Sequence, residues 1–261
     1  MPPEAVPLGG AETRDPWARL RASTTARIGL SRTGDAMALS DVLAFQIAHA
    51  RARDAVHTPL DVSALTARLP GALLVRSAAP DRPTYLRRPD LGRQLAPDCL
   101  LARDAYDAVF IIADGLSASA VMAHAVDVME ATVARLPGFR IAPPVVATQA
   151  RVAIGDDIGE ALGARLAVML IGERPGLTMA ESLGVYLTYA PKRGTRDSAR
   201  NCLSNIHDQG GVSVQAAADT LAWLMRAALQ RQLTGVGLKE AAGLSLDDHQ
   251  TIKVLTGLDS A

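Results

Sequence analysis

Residues 151–176 read RVAIGDDIGEALGARLAVMLIGERPG. A short helical segment, 156–162, leads into an unbroken apolar run, LAVMLI at 166–171, which stops at the polar GERPG of 172–176. Apolar residues on every position, not every second one, predict a strand buried on both faces. A Gly- and Pro-punctuated loop at the C-terminal end of such a strand is where open α/β sheets bind ligands.

Outward from that stretch the same grammar repeats. DAVFIIAD (107–114) is a second buried-strand run, followed by a helix of good formers over 117–136 that Pro137 and Gly138 stop. PPVVATQ (143–149) is another strand. LGVYLTYAP (183–191) is a further one with partial alternation, expected nearer an edge. A polar loop over 192–211 then precedes an amphipathic helix over 213–233. Strand and helix alternate, which predicts an α/β, Rossmann-like parallel sheet with right-handed crossovers and flanking helices, over residues 105–237. Residues 238–261 form a C-terminal extension without a clear signal.

The first third differs. Residues 1–14 are expected to be disordered. Asp15 and Pro16 then offer an N-cap and an N1 proline to an Arg-rich helix, WARLRASTTARI. A second helix over 40–57 carries Val42, Leu43, Phe45, Ile47 and Ala50 as a broad apolar stripe, and Asp61 opens a third. LLVRS (73–77) and TYLRR (84–88) read as short strands, and Pro89-Asp90 starts another helical piece through Leu95. Residues 15–104 thus form a small, mainly helical region. Its recurrent Arg residues fit either solvated helix faces or a docking surface.

Composition narrows the function classes. Hydrophobic residues are 49% of the 261 but aromatics only 3%, so Ala, Leu and Val must do the packing, which disfavours a β-sandwich. Formal net charge is zero and no basic patch stands out, so nucleic acid is not an expected partner. The two cysteines, Cys99 and Cys202, fit a reducing compartment. No run approaches a membrane span, and the N-terminus lacks a signal-peptide core. A cytoplasmic protein is expected.

Three loops leave the C-terminal ends of the strands at 114–117, 150–155 and 172–176, and topology puts them on one rim. No G-x-G-x-x-G follows any strand and no P-loop occurs, which removes most of the case for nucleotide chemistry. Zinc spacings are absent too. His49 and His124 sit within helices and read as surface or packing residues, not ligands. Asn205-Ile206-His207 approximates the Asp-x-His pattern by which some cobalamin proteins offer a histidine to cobalt. The supporting carboxylate is missing, so His207 reads as a turn residue. Cys202 with His207 as its base would make a Cys–His hydrolase, the weakest reading, because no Gly-rich oxyanion loop accompanies the pair.

Six segments together carry a resemblance: AFQIAHARARD (44–54), YLRRPDLGRQL (85–95), DGLSA (114–118), RVAIGDDIGEALGA (151–164), IGERPGL (171–177) and NCLSNIH (201–207). In this order they resemble the small (light) subunit family of ethanolamine ammonia-lyase, across roughly residues 20–235. The resemblance implies an adenosylcobalamin-dependent lyase that converts ethanolamine to acetaldehyde and ammonia by radical chemistry. It implies a hetero-oligomer whose large subunit carries the substrate site in a TIM barrel. The small subunit would cover the lower side of the corrin, with cofactor contacts at Val152, Glu173 and Cys202, no catalytic residue and no metal ligand of its own. The cofactor would keep its own base on cobalt, so His207 would not be a ligand. Some relatives carry a longer N-terminal extension linked to encapsulation in a bacterial microcompartment, and little here precedes Asp15. Residues 238–261 run beyond the family's usual end. The alternative is a stand-alone cobalamin-binding or carrier module without lyase activity.

Overall fold

The fold is described from a computed structural model over residues 15–24, 26–30 and 32–239. The expectations for residues 1–14 and for most of the C-terminal extension fall outside those residues. The chain divides into two compact units between Ala50 and Arg51.

In the first unit, helix α1 is only Ala18–Ala22, shorter than the sequence predicts. Ser23 turns its hydroxyl back to the Arg19 carbonyl, and a β-branched Thr follows, which together favour leaving the helix. Two short antiparallel strands follow, β1 (Arg32–Thr33) and β2 (Ala36–Met37). Helix α2 (Leu39–His57) matches the predicted segment but buries none of its residues. Leu43, Phe45 and Ile47 of the expected apolar stripe are exposed.

The second unit is built on six strands: β3 (Leu73–Arg76), β4 (Tyr106–Ala113), β5 (Val145–Thr148), β6 (Ala164–Gly172), β7 (Leu183–Tyr189) and β8 (Asn201–Ile206). Their spatial order is β3-β5-β4-β6-β7-β8. β3, β5, β4 and β6 are mutually parallel, as the alternating elements predict, whereas β7 and β8 are antiparallel. The link from β6 to β7, residues 173–182, holds no helix and is shorter than the dozen or so residues a parallel crossover needs. β7 therefore returns beside β6 and lies inside the sheet, not at its edge. The edge is β8, within the stretch expected to be a polar loop. Its polar residues face outward while Leu203 and Ile206 reach the core, the pattern of a strand covered on one side.

Strand β4 shows why the runs are apolar throughout. Ala108, Phe110 and Ile112 pack into one core with helices α3 (Val62–Arg68), α6 (Val126–Ala134) and α8 (Val214–Arg231). Val109, Ile111 and Ala113 pack into a second core on the opposite face, under Ile154, Ile158 and Leu162 of α7 (Ile154–Leu162). The predicted helix after β4 begins as α5 (Ala118–Ala120) and passes through a π-helical segment, Val121–Ala125, before α6.

Residues 84–88, expected as a strand, belong instead to helix α4 (Arg82–Arg87). Asp81 caps it by accepting from the Thr84 amide at 2.7 Å, and Pro83 sits in its first turn. The helical piece expected from Asp90 is a single 3₁₀ turn, Leu91–Arg93.

Candidate functional site

The chain runs from β4 out to β5 and back across β4 to β6, so the turning point of the topology lies at β4 and the ligand crevice is expected beside it. Backbone closes that crevice. The Leu116 amide donates to the Gly172 carbonyl at 2.9 Å. A Cβ on Gly172 would lie 2.1 Å from the Ser117 carbonyl oxygen, and one on Gly115, at φ +54°, would lie 2.2 Å from that of Gly172. These two glycines let the β4 loop lie flat on the end of β6. The free space is displaced sideways, toward half-buried Tyr186 of β7.

There a cavity of about 230 Å³ opens between the β4 loop, the β5–α7 turn and the end of β6. Val152 and Arg151 line it from the turn, Glu173 and Arg174 from beyond β6, and Tyr186 from β7. Two of the three cofactor contacts implied by resemblance, Val152 and Glu173, thus share one wall. The third, Cys202, does not line the cavity. It pairs with Tyr186 across β7 and β8.

Glu173 is held in place from three sides. Its carboxylate accepts from the Ser182 and Ser204 hydroxyls, both at 2.5 Å, and from the Asn205 amide at 3.3 Å. Gly184 lies beneath it, where a Cβ would meet Oε1 at 3.0 Å. The surrounding protein pushes the Cys202 thiol above its ordinary pKa, with the Glu173 charge adding to the effect and the Tyr186 hydroxyl opposing it. Tyr186 is pushed up to about 12, mainly by burial and then by Cys202. At neutral pH this corner therefore presents a neutral thiol and a neutral phenol.

Under the cavity lies a polar cluster that the sequence did not disclose, because Arg82 and Tyr85 fell in or next to a supposed strand. The Asp114 carboxylate accepts from the amides of Gly115, Gln149 and Ala150 and from Arg82 Nη1, each at 2.9 Å. Burial pushes the Asp114 carboxyl up, while those amides and the Arg82 cation hold it down. The buried Tyr85 hydroxyl lies 2.9 Å from the Gly115 carbonyl and 3.0 Å from that of Ala150. Its ring is flanked by two guanidiniums, Arg151 at 4.4 Å and Arg82 at 4.8 Å. This cluster ties the ends of β4 and β5 together and fixes the turn that carries Val152.

A buried ion pair anchors the other side. Arg200, just before β8, meets Asp156 of α7 through two bonds of 2.6 and 2.7 Å, with both side chains 2% exposed. Arg200 also donates to Thr188 Oγ1 and the Thr195 carbonyl.

His207 has both ring nitrogens engaged: Nε2 lies 2.8 Å from Asn205 Oδ1, and Nδ1 accepts from the Gln209 amide at 3.2 Å. It holds the turn after β8, as the sequence reading assigned it. The partner of Cys202 is Tyr186, so a Cys202–His207 dyad is not assembled. His124 is buried on the π segment. Among the described residues no group of three or more His, Cys, Asp or Glu is placed to hold a metal ion. Among the same residues no helix is long and apolar enough to cross a membrane.

Fold and cavity together define an α/β subunit with a polar-edged half-cleft at the ends of its central strands. Residues 14–239 match the family model described as ethanolamine ammonia-lyase light chain (EutC). The chain is 49% identical over 244 residues to the ethanolamine ammonia-lyase small subunit of Azotobacter vinelandii, covering 88% of this chain and 90% of that protein. It is 49% identical over 248 residues to that of Ralstonia nicotianae, with 90% and 92% covered. Against that of Pseudomonas fluorescens strain Pf0-1 it is 45% identical over 262 residues, with 95% and 93% covered. The chain belongs to the ethanolamine ammonia-lyase small-subunit family.

Proposed function

We propose that this chain is the cobalamin-cradling small subunit of an adenosylcobalamin-dependent ethanolamine ammonia-lyase, working with a large subunit that holds ethanolamine. What carries the reading is the shared wall of Val152 and Glu173, with Cys202 paired to Tyr186 of the same cavity, in a member of this family.

The residues fit such a group. A cavity of about 230 Å³ is below the roughly 300–1,000 Å³ that encloses a drug-sized ligand, and a corrinoid is larger still. This chain can therefore cover only one side of it, which is what a subunit acting with a partner requires. Val152, Leu116 and Ile171 offer apolar surface to a flat ring system, and Glu173 offers an acceptor to amide N–H groups of the kind that fringe a corrin. When bound, adenosylcobalamin would supply the radical that initiates loss of ammonia from ethanolamine to give acetaldehyde.

The chain's own residues bind and orient. Ser182, Ser204 and Asn205 keep Glu173 pointed at the cleft, so its acceptor geometry is set before binding. The neutral Tyr186 phenol adds contact without charge, with Cys202 paired beside it on β8. His207 is engaged within its own turn, which favours a cofactor that keeps its own base on cobalt.

The test is reconstitution with a large subunit, followed in the corrin absorbance and in acetaldehyde release. Neither subunit alone is expected to deaminate ethanolamine, and the mixture is. Failure of the mixture to turn over would refute the lyase reading. Tight corrin binding by this chain alone would instead favour the carrier alternative.

A further inference from the structure

Arg151 is the one feature of the cleft that the reading above leaves without a task. Its guanidinium stacks on the Tyr85 ring, and its backbone amide is fixed to the Gly92 carbonyl at 2.8 Å. Gly92 is closely apposed, since a Cβ there would lie 3.0 Å from Arg151 Cγ and 2.8 Å from the Tyr85 ring. The side chain is thus clamped between a glycine and an aromatic face. Its Nε is buried with no hydrogen-bond partner, and among the described residues no carboxylate pairs with it. By contrast Arg82, on the same ring, is neutralised by Asp114, and Arg200 by Asp156.

A held, uncompensated guanidinium at the edge of a cleft costs free energy unless a ligand meets it. The acid on the same cavity wall, Glu173, is turned toward Ser182, Ser204 and Asn205. Arg174 lines the same cavity and adds a second cation. Planar N–H donors with positive charge match a phosphate oxygen pair better than an amide or an apolar ring edge.

We infer that Arg151 is the cleft's phosphate-recognition residue, and that it receives the phosphodiester by which a cobalamin's nucleotide is joined to the corrin side chain. This rests on the proposed corrin-binding role of the cleft. It adds which part of that molecule this chain reads: the charged linkage, through one clamped guanidinium, beside the neutral contacts of Val152 and Tyr186.

The experiment compares two corrinoids that differ only by a phosphate, cobinamide and cobinamide phosphate, on the assembled complex with the large subunit, by titration in the corrin band. The wild-type complex should bind cobinamide phosphate about 10- to 100-fold more tightly, the range a charged hydrogen-bonded contact gives. Arg151→Gln should abolish that preference, lowering affinity for cobinamide phosphate about 10- to 100-fold more than affinity for cobinamide. An unchanged preference in Arg151→Gln, or an equal loss for both corrinoids, overturns the assignment. Inorganic phosphate should compete only in the millimolar range, as a weak single contact does; micromolar competition would make this a general anion site and would also overturn it. If Arg151→Gln does not assemble, Arg151→Lys serves, since it keeps the charge and loses the planar fork; a full wild-type preference there counts against the proposal. If the wild-type complex binds neither corrinoid, the corrin reading of the cleft has failed, a different outcome from a corrin bound without regard to its phosphate.

Discussion

Replacing Arg200 by Met tests the anchor that holds β8, and with it Cys202 and Ser204, against the end of α7. In the wild-type protein Arg200 and Asp156 are both 2% exposed and joined by two bonds, with Thr188, the Thr195 carbonyl and exposed Asp197, at 3.4 Å, as the guanidinium's other partners. Removing the cation leaves a carboxylate buried without compensation, a loss of about 3–5 kcal/mol. For a domain of this size each kcal/mol lowers Tm by roughly 2–4 °C, so a fall of about 6–20 °C is expected. Asp156→Leu should cost a similar amount for the mirror-image reason. The double variant should be much less destabilised than the two losses added, because it leaves no orphan charge. Chemical denaturation of the four proteins gives the coupling energy directly. Additive losses, or a loss below about 1 kcal/mol for Arg200→Met, would show that the pair is not the anchor described here.

Three further outcomes are expected. Gly172→Ala drives a Cβ to 2.1 Å from the Ser117 carbonyl, so denaturation should show a loss of about 1–3 kcal/mol, with the β4 loop pushed off the strand end; a neutral substitution would mean that the loop rests there loosely. Thiol-labelling rates against pH should place the Cys202 pKa above the ordinary thiol value. Glu173→Gln should lower it and Tyr186→Phe raise it, the reverse order counting against the assigned network. Tyr186 is neutral-favoured in the fold, with its pKa raised to about 12, so the stability it contributes is intact below pH 10 and lost as pH rises through about 12; an ultraviolet titration showing every tyrosine ionising near 10 would contradict this.

Much of the sheet was legible from residue order. The runs at 107–114 and 166–171 are apolar throughout because each packs against a core on both faces, and no other element of this length requires that. The rim loops were legible for the same reason, since a parallel strand delivers its C-terminal end to one edge. The errors share a cause in neighbouring chain. TYLRR has the composition of a strand, but Asp81 and Pro83 upstream of it start a helix. NCLSNI has the composition of a loop, but β7 beside it supplies hydrogen-bond partners and buries one face. Sequence order alone brought Val152 and Glu173 to one rim and left Tyr186 unremarked, because a residue in mid-strand looks structural until it is found to line a cavity.

The sequence by itself thus determined which segments are buried on two faces, that their ends share a rim, and which family the motifs resemble. Those are consequences of local periodicity and of short signatures carried whole in one segment. Only the tertiary structure decided that the crevice beside β4 is sealed by Gly115 and Gly172, that the open space lies beside it toward Tyr186 of β7, and that Arg151 faces it without a counter-charge. Each of these depends on distances between residues far apart in the chain, such as Gly92 to Arg151 or Asp156 to Arg200, and residue order does not encode such distances until the core has packed.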